Sequence, residues 1–149
     1  MPHVHPRATA SIAGIPIRAL LAPFPIVCFI GALLTDITYA QTTEMMWADF
    51  SAWLVTVGLI MGVLAFIAGL IDFVGDPAVR RQRSVRVHLV GSVILLVLAA
   101  LNMFIHTHDA WTSVVPWGLT LSAIIVVVLL VTEWMGFWMV FHHSVGVSE

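Results

Sequence analysis

The sequence predicts an all-α fold: a four-helix transmembrane bundle, antiparallel and up-and-down, with both termini on the cytoplasmic side. Three observations predict it. Hydrophobic residues make up 60% of the 149 and charged residues 9%, against about 25% charged in a soluble domain. Mean hydropathy is +1.04, so too few charges remain to cover a water-facing surface, and the solvent must be mostly lipid. Four stretches also reach the roughly 20 apolar residues that a bilayer span needs. Finally, four of the six basic residues (Arg80, Arg81, Arg83 and Arg86) crowd one short connection between the second and third stretches. The stretches are continuously apolar rather than alternating, which favours helices over a barrel, because in lipid each helix satisfies its own backbone.

Residues 1–14 read as a flexible N-terminal tail, and residues 15–147 as one transmembrane domain. The first helix spans about 19–39, with Pro23 and Pro25 expected to kink its start. A short acidic loop with Glu44 and Asp49 leads to a second helix over about 50–74. Gly75-Asp76-Pro77 ends it, since proline cannot continue the hydrogen-bond ladder and Asp favours a turn. The arginine-rich connection precedes a third helix over about 85–105. His106-Thr107-His108-Asp109 forms the last loop, and Pro116 opens a fourth helix over about 114–141.

Arginines in short loops mark the cytoplasmic side. The 80–86 segment therefore faces inward, and Arg7 and Arg18 put the N-terminus beside it. Trp47, Trp111 and Trp117 fall at the outer boundary and Trp134 and Trp138 at the inner one, as an aromatic belt requires. Thr38-Tyr39-Ala40 imitates a signal-peptide cleavage site. The run before it is too long for such a segment, however, and Asp36 stands too close. The lipid bilayer is then the first partner of the chain. The charge pattern leaves no footprint for nucleic acid.

Helical spacing assigns inward faces. On the second helix Gly58, Gly62, Ala65, Gly69 and Asp72 share one stripe of small residues that allows close helix approach. That seam suits an internal neighbour or a second copy, so a homo-oligomer stays open. On the third helix the stripe is His88, Ser92, Leu95, Ala99, Asn102 and His106. On the fourth it is Ser122, Glu133, Gly136 and His143, and on the first Ala22, Pro25, Phe29, Ala32 and Asp36. By depth the polar groups form two layers. Arg18, Asp72, His88, Glu133, His142 and His143 lie toward the inner face, and Asp36, Asp49, Asn102, His106, His108 and Asp109 toward the outer.

Ionisable groups inside lipid are costly unless they face protein or water, so Arg18, Asp72, Glu133 and Asp36 mark the polar intramembrane residues of interest. His88 with His142 or His143 offers facing imidazoles, the donor set for haem b or a metal in a helical bundle. The plainer alternative has His88 bonding Asp72 while the closing histidines stabilise a helix end. Asp72 with Arg18 or Arg86 reads first as a structural ion pair. Glu133 must find a partner or hold a proton, and with Asp72 it supports an alternative reading as a proton- or ion-handling bundle. His106, His108 and Asp109 form a weaker metal candidate, as do His3 and His5. Cys28, the lone cysteine, reads as a small lipid-facing or packed residue. Motifs for hydrolysis or phosphate binding are missing, so the reading leans away from an enzyme.

Leu21-Ala22-Pro23-Phe24-Pro25-Ile26, the Asp36 that ends that helix, and Gly69-Leu70-Ile71-Asp72-Phe73 together resemble the bacterial domain of unknown function 2231 family of predicted membrane proteins. His88, the run from His108 to Trp111 and the ending Phe141-His142-His143-Ser144-Val145-Gly146-Val147 are similar to it too. The resemblance implies four inner-membrane helices. Some members are joined to redox modules of Rieske or cytochrome type, which implies a redox-associated or accessory subunit. Members often carry His-Pro pairs before the Pro-Phe-Pro segment, where this chain has Ile15-Pro16 and Arg18-Ala19, so any histidine that served relatives as a ligand there has no counterpart here.

Overall fold

The computed structural model describes the backbone of residues 11–12, 15–75, 77–81, 83–108 and 111–143, with side chains described between Ile17 and Met135 apart from residues 76, 78, 82, 84 and 109–111. Most of the segment expected to be a flexible tail lies outside the described residues. A two-residue antiparallel pairing joins β1 (Ser11–Ile12) to β2 (Ile15–Pro16). Four membrane-length helical spans follow, of 22 to 31 residues. At about 1.5 Å per residue each exceeds the roughly 30 Å hydrocarbon core.

The first span joins α1 (Ile17–Leu21) to α2 (Pro23–Thr42). Ala22 keeps a helical conformation and its amide bonds Arg18 O at 2.9 Å, but Pro23 and Pro25, on either side of Phe24, withhold two donors, so the helix breaks there. α2 stops at Thr43, whose φ of 58° is left-handed and whose amide closes on Tyr39 O at 2.8 Å. One residue later α3 (Met45–Gly75) begins, ahead of its apolar run, so Asp49 stands exposed on its first turns. A short α4 (Pro77–Arg81) carries Arg80 and Arg81 into α5 (Arg83–His106). A single turn, α6 (Trp111–Val114), leads to α7 (Trp117–His143).

Each long helix packs on two others, α2 on α3, α3 on α5, α5 on α7 and α7 back on α2, so the bundle closes as a ring. Most of the described residues in the α2 and α5 stripes named from helical spacing line its interior. Pro25, Phe29, Ala32 and Asp36 of α2 are buried, as are His88, Leu95, Ala99, Asn102 and His106 of α5. The outward faces carry large exposed hydrophobics such as Val27, Ile60, Val97 and Val127, the surface expected where lipid is the solvent.

The glycine seam of α3 serves internal neighbours. A Cβ on Gly58 would lie 2.8 Å from the Phe29 ring and 2.9 Å from Cys28 Cβ. On Gly62 it would meet Leu96 Cδ2 at 3.0 Å, and on Gly69 the Arg18 Cδ at 3.2 Å. Small residues there let α1 and α2 lie against α3, which is how Cys28 comes to be buried.

Two apolar clusters form the core. Phe29, Leu95, Ala99, Ile125 and Leu129 fill the middle of the bundle. Tyr39, Ala48 and Val114 close the end where α2 meets α3 and α6 meets α7.

Candidate functional site

Two groups of buried polar side chains centre on α5, around His88 and around His106; a further buried hydroxyl, Ser51 of α3, bonds Thr35 of α2 at 2.6 Å. Eighteen residues of helix set the two groups about 27 Å apart, and the middle apolar cluster lies between them.

At the first, Arg18 of α1 reaches across to His88, its guanidinium meeting the imidazole Nε2. Arginine only donates, so Nε2 is the acceptor, and the opposite nitrogen must carry the proton. That Nδ1–H points at Thr132 O of α7 at 3.1 Å. The contact defines one neutral tautomer and engages both ring nitrogens. The partners of this histidine are thus Arg18 and a carbonyl, in place of the Asp72 side chain expected from sequence. Glu133 and Asp72 both lie within electrostatic range of Arg18. A cavity of about 60 Å³, lined by Arg18, Pro25, His88, Ser92, Leu129 and Glu133 among others, opens beside it. Such a volume holds a few water molecules. The His142 and His143 side chains lie outside the described residues, so no ligand geometry with His88 is defined.

At the second, Asp36 is fully buried and stands across the diagonal of the bundle from α5. His106 Nε2 lies 3.0 Å from Asp36 Oδ1, while Ser122 Oγ–H donates to Oδ2 at 2.5 Å. Asn102 Nδ2–H donates to Ser122 Oγ at 2.9 Å, and His106 Nδ1–H donates to Asn102 O at 2.9 Å. Three helices are thereby tied together. Asn102 Oδ1 is buried without a protein partner.

The donor inventory decides the state of this clasp. Nδ1 faces a carbonyl, so it carries a proton, and Ser122 spends its own on Oδ2. One proton therefore lies between Oδ1 and Nε2, whether it is drawn on the carboxyl or on the imidazole. In both drawings the pair has no net charge. Removing that proton would set a lone pair against a carboxylate, and adding one would leave an unbalanced cation, both severe in a dry interior.

The clasp is also sealed. The middle cluster covers one side, and Tyr39, Ala48 and Val114 cover the other. Gly118 supplies the room, because a Cβ there would meet Ser113 O at 2.6 Å and His106 Cε1 at 2.9 Å. The intramembrane residues singled out from sequence thus divide: Arg18, Asp72 and Glu133 collect around His88, and Asp36 belongs to the opposite end. Of the outer-loop metal candidates, His106 turns inward to Asp36, His108 is exposed and Asp109 lies outside the described residues. Among the described residues no three His, Cys, Asp or Glu side chains converge on a metal position. Thr132, Gly91 and Gly118 were missed by sequence reasoning, and only their small size at helical spacing hinted at close approach.

Comparison with known proteins adds the family. Residues 14–149 match the model of the family described as predicted membrane protein (DUF2231). The chain belongs to that family. No protein of curated function and no solved structure matches it. For this DUF2231 protein the match covers all four spans, both polar clusters and the arginine-rich segment.

Proposed function

We propose that the protein is a non-conducting accessory subunit of the bacterial inner membrane that works beside a partner membrane or redox subunit, with both termini and the arginine segment cytoplasmic. The carrying observation is the sealed clasp. A conduit wants polar groups spaced across the membrane, whereas here Asp36, Asn102, His106 and Ser122 are enclosed by apolar side chains on both sides. Their proton count is also self-contained, so they have nothing to hand on. The glycine seam is spent on internal neighbours, which leaves the outward apolar faces for a partner. Arg80, Arg81, Arg83 and Arg86 are all exposed, and they supply the positive-inside asymmetry that supports the orientation.

The test is reconstitution. Proteoliposomes holding the purified chain should collapse a proton gradient no faster than empty liposomes, and the preparation should show no Soret band. Faster collapse would overturn the non-conducting assignment, and a Soret band would overturn the accessory one in favour of a haem b carrier. For orientation, in a Cys28→Ser background, Glu44→Cys should react with an impermeant maleimide on intact spheroplasts. Arg80→Cys should react only after permeabilisation; the reverse pattern would invert the topology.

A second reading rests on the cavity beside Arg18. Glu133 lines it and Asp72 is within electrostatic range, a grouping suited to taking up and releasing a proton at one membrane face. Glu133→Gln separates the two readings, since it should abolish any proton flux that the wild-type chain shows. The haem b reading demands more, because His88 would have to exchange Arg18 or Thr132 O for iron.

A further inference from the structure

The face of α5 and α7 that points away from the bundle centre is not a flat lipid surface. It carries a groove of about 320 Å³, lined on α5 by Val87, Val90, Gly91 and Ile94 and on α7 by residues including Val127 and Val131. Its lining is almost wholly apolar, although His88 and Thr132 border it. Their polar atoms are turned to internal partners: His88 Nδ1–H to Thr132 O, and Thr132 Oγ1–H to Val128 O at 2.7 Å. Gly91 sets the closeness of the two helices, since a Cβ there would lie 2.9 Å from Thr132 Oγ1.

The mouth of the groove is basic. Arg83 lies four residues before Val87 and Arg86 four before Val90, so each arginine continues a groove-lining row by one helical turn. Both are exposed and both belong to α5 itself. The dimensions match one lipid leaflet. From Arg83 to Ile94 the helix rises about 16 Å, while half of a hydrocarbon core is about 15 Å.

We propose that this groove is a binding site for an anionic phospholipid, its phosphate held by Arg83 and Arg86 and one acyl chain lying along Val87, Val90, Gly91 and Ile94. Charge complementarity selects the occupant: an apolar helix of a second protein would gain nothing from the two arginines, whereas a phosphate at the head of an acyl chain satisfies both halves of the site. Basic positions between transmembrane helices are a recurring form of lipid recognition. The inference is independent of the proposed accessory role, and it holds whichever side of the membrane the arginine segment faces.

The experiment is native mass spectrometry of the detergent-solubilised chain supplied with equal phosphatidylglycerol and phosphatidylcholine. Phosphatidylglycerol should be retained in preference. With each surface arginine contributing about fivefold, Arg83→Gln or Arg86→Gln should weaken retention about fivefold and the double variant about twenty-five-fold. Arg80→Gln with Arg81→Gln, in the separate helix α4, should weaken it much less. Val131→Trp fills the groove from a position 56% exposed, so the fold tolerates it, and it should remove the bound lipid while the helical circular dichroism is unchanged. Equal retention of the two lipids, or full retention by the Arg83/Arg86 double variant, would overturn the site. So would equal losses for the two arginine pairs, which would mean diffuse charge. A disulfide-linked dimer formed by Val90→Cys in the Cys28→Ser background would overturn it as well, since a second copy would then occupy the groove.

Discussion

Replacing Asp36 tests the clasp directly, because two substitutions differ in what they leave behind. Asp36→Ala strands the His106 Nε2 contact at 3.0 Å and the Ser122 contact at 2.5 Å, both in a buried setting. Hydrogen bonds between transmembrane helices average about 0.6 kcal/mol and reach about 1.7 kcal/mol. Two of them, with the space vacated by the carboxyl, give about 2–3 kcal/mol of destabilisation. Asp36→Asn behaves differently. Its amide N–H can donate to His106 Nε2 while its carbonyl accepts from Ser122, so every partner keeps a bond. Because the Asp36–His106 pair is neutral already, no charge is lost either, and the cost should stay below about 1 kcal/mol. The chain carries its own reporter in Cys28, which is buried between α2 and α3. Alkylation of Cys28 by a membrane-permeant maleimide, followed across an SDS titration, reads the opening of the bundle. An Asn variant as fragile as the Ala variant would refute the neutral, one-proton account. An Ala variant as stable as wild type would refute the clasp.

Further outcomes follow from the tight glycines and the α2–α3 turn. Gly118→Ala should destabilise by about 1–3 kcal/mol, because the new Cβ meets a backbone carbonyl at 2.6 Å as well as the His106 ring. Gly58→Ala should behave similarly against Phe29 and Cys28, whereas Gly62→Ala meets only the end of Leu96 and should cost less; the same SDS titration ranks the three. Thr43→Gly should stabilise modestly, by about 0.5–1 kcal/mol, since a β-branched residue at φ 58° is strained and glycine is not. In the unaltered protein, Cys28 should alkylate at least tenfold more slowly than a cysteine placed at the exposed Phe24.

Much of this architecture was legible because lipid enforces simple rules. Continuous apolar runs specify helices, and the rows Pro25-Phe29-Ala32-Asp36 and His88-Leu95-Ala99-Asn102-His106 announce their inward faces by spacing alone. Depth was legible too, since Asp36 and His106 both fall near one end of their spans. Pairing was not. Asp36 and His106 are 70 residues apart, and spacing within each helix says nothing of which helices meet across a diagonal. His106 also read as the start of a loop, because the polar run after it hides the last helical turn. His88 illustrates the same gap. Asp72 and Arg18 share its depth, and only packing decides that α1, bent at Pro23, swings Arg18 onto the ring. For Cys28 the sequence left a lipid-facing and a packed position open, and only the approach of Gly58 to Cys28 Cβ decides for packing.

The clasp joins partners that leave the ribosome at very different times. Asp36 precedes His106 by 70 residues and Ser122 by 86. At about 5–20 residues per second, synthesis separates Asp36 from His106 by about 4–14 s. Throughout that interval the first helical hairpin has a carboxyl in or near the bilayer with neither of its final partners made. The first span must therefore sit shallow, or hold its carboxyl protonated beside other protein, until the second hairpin arrives. The clasp thus couples the two hairpins, since Asp36 meets its final partners only when both have come together.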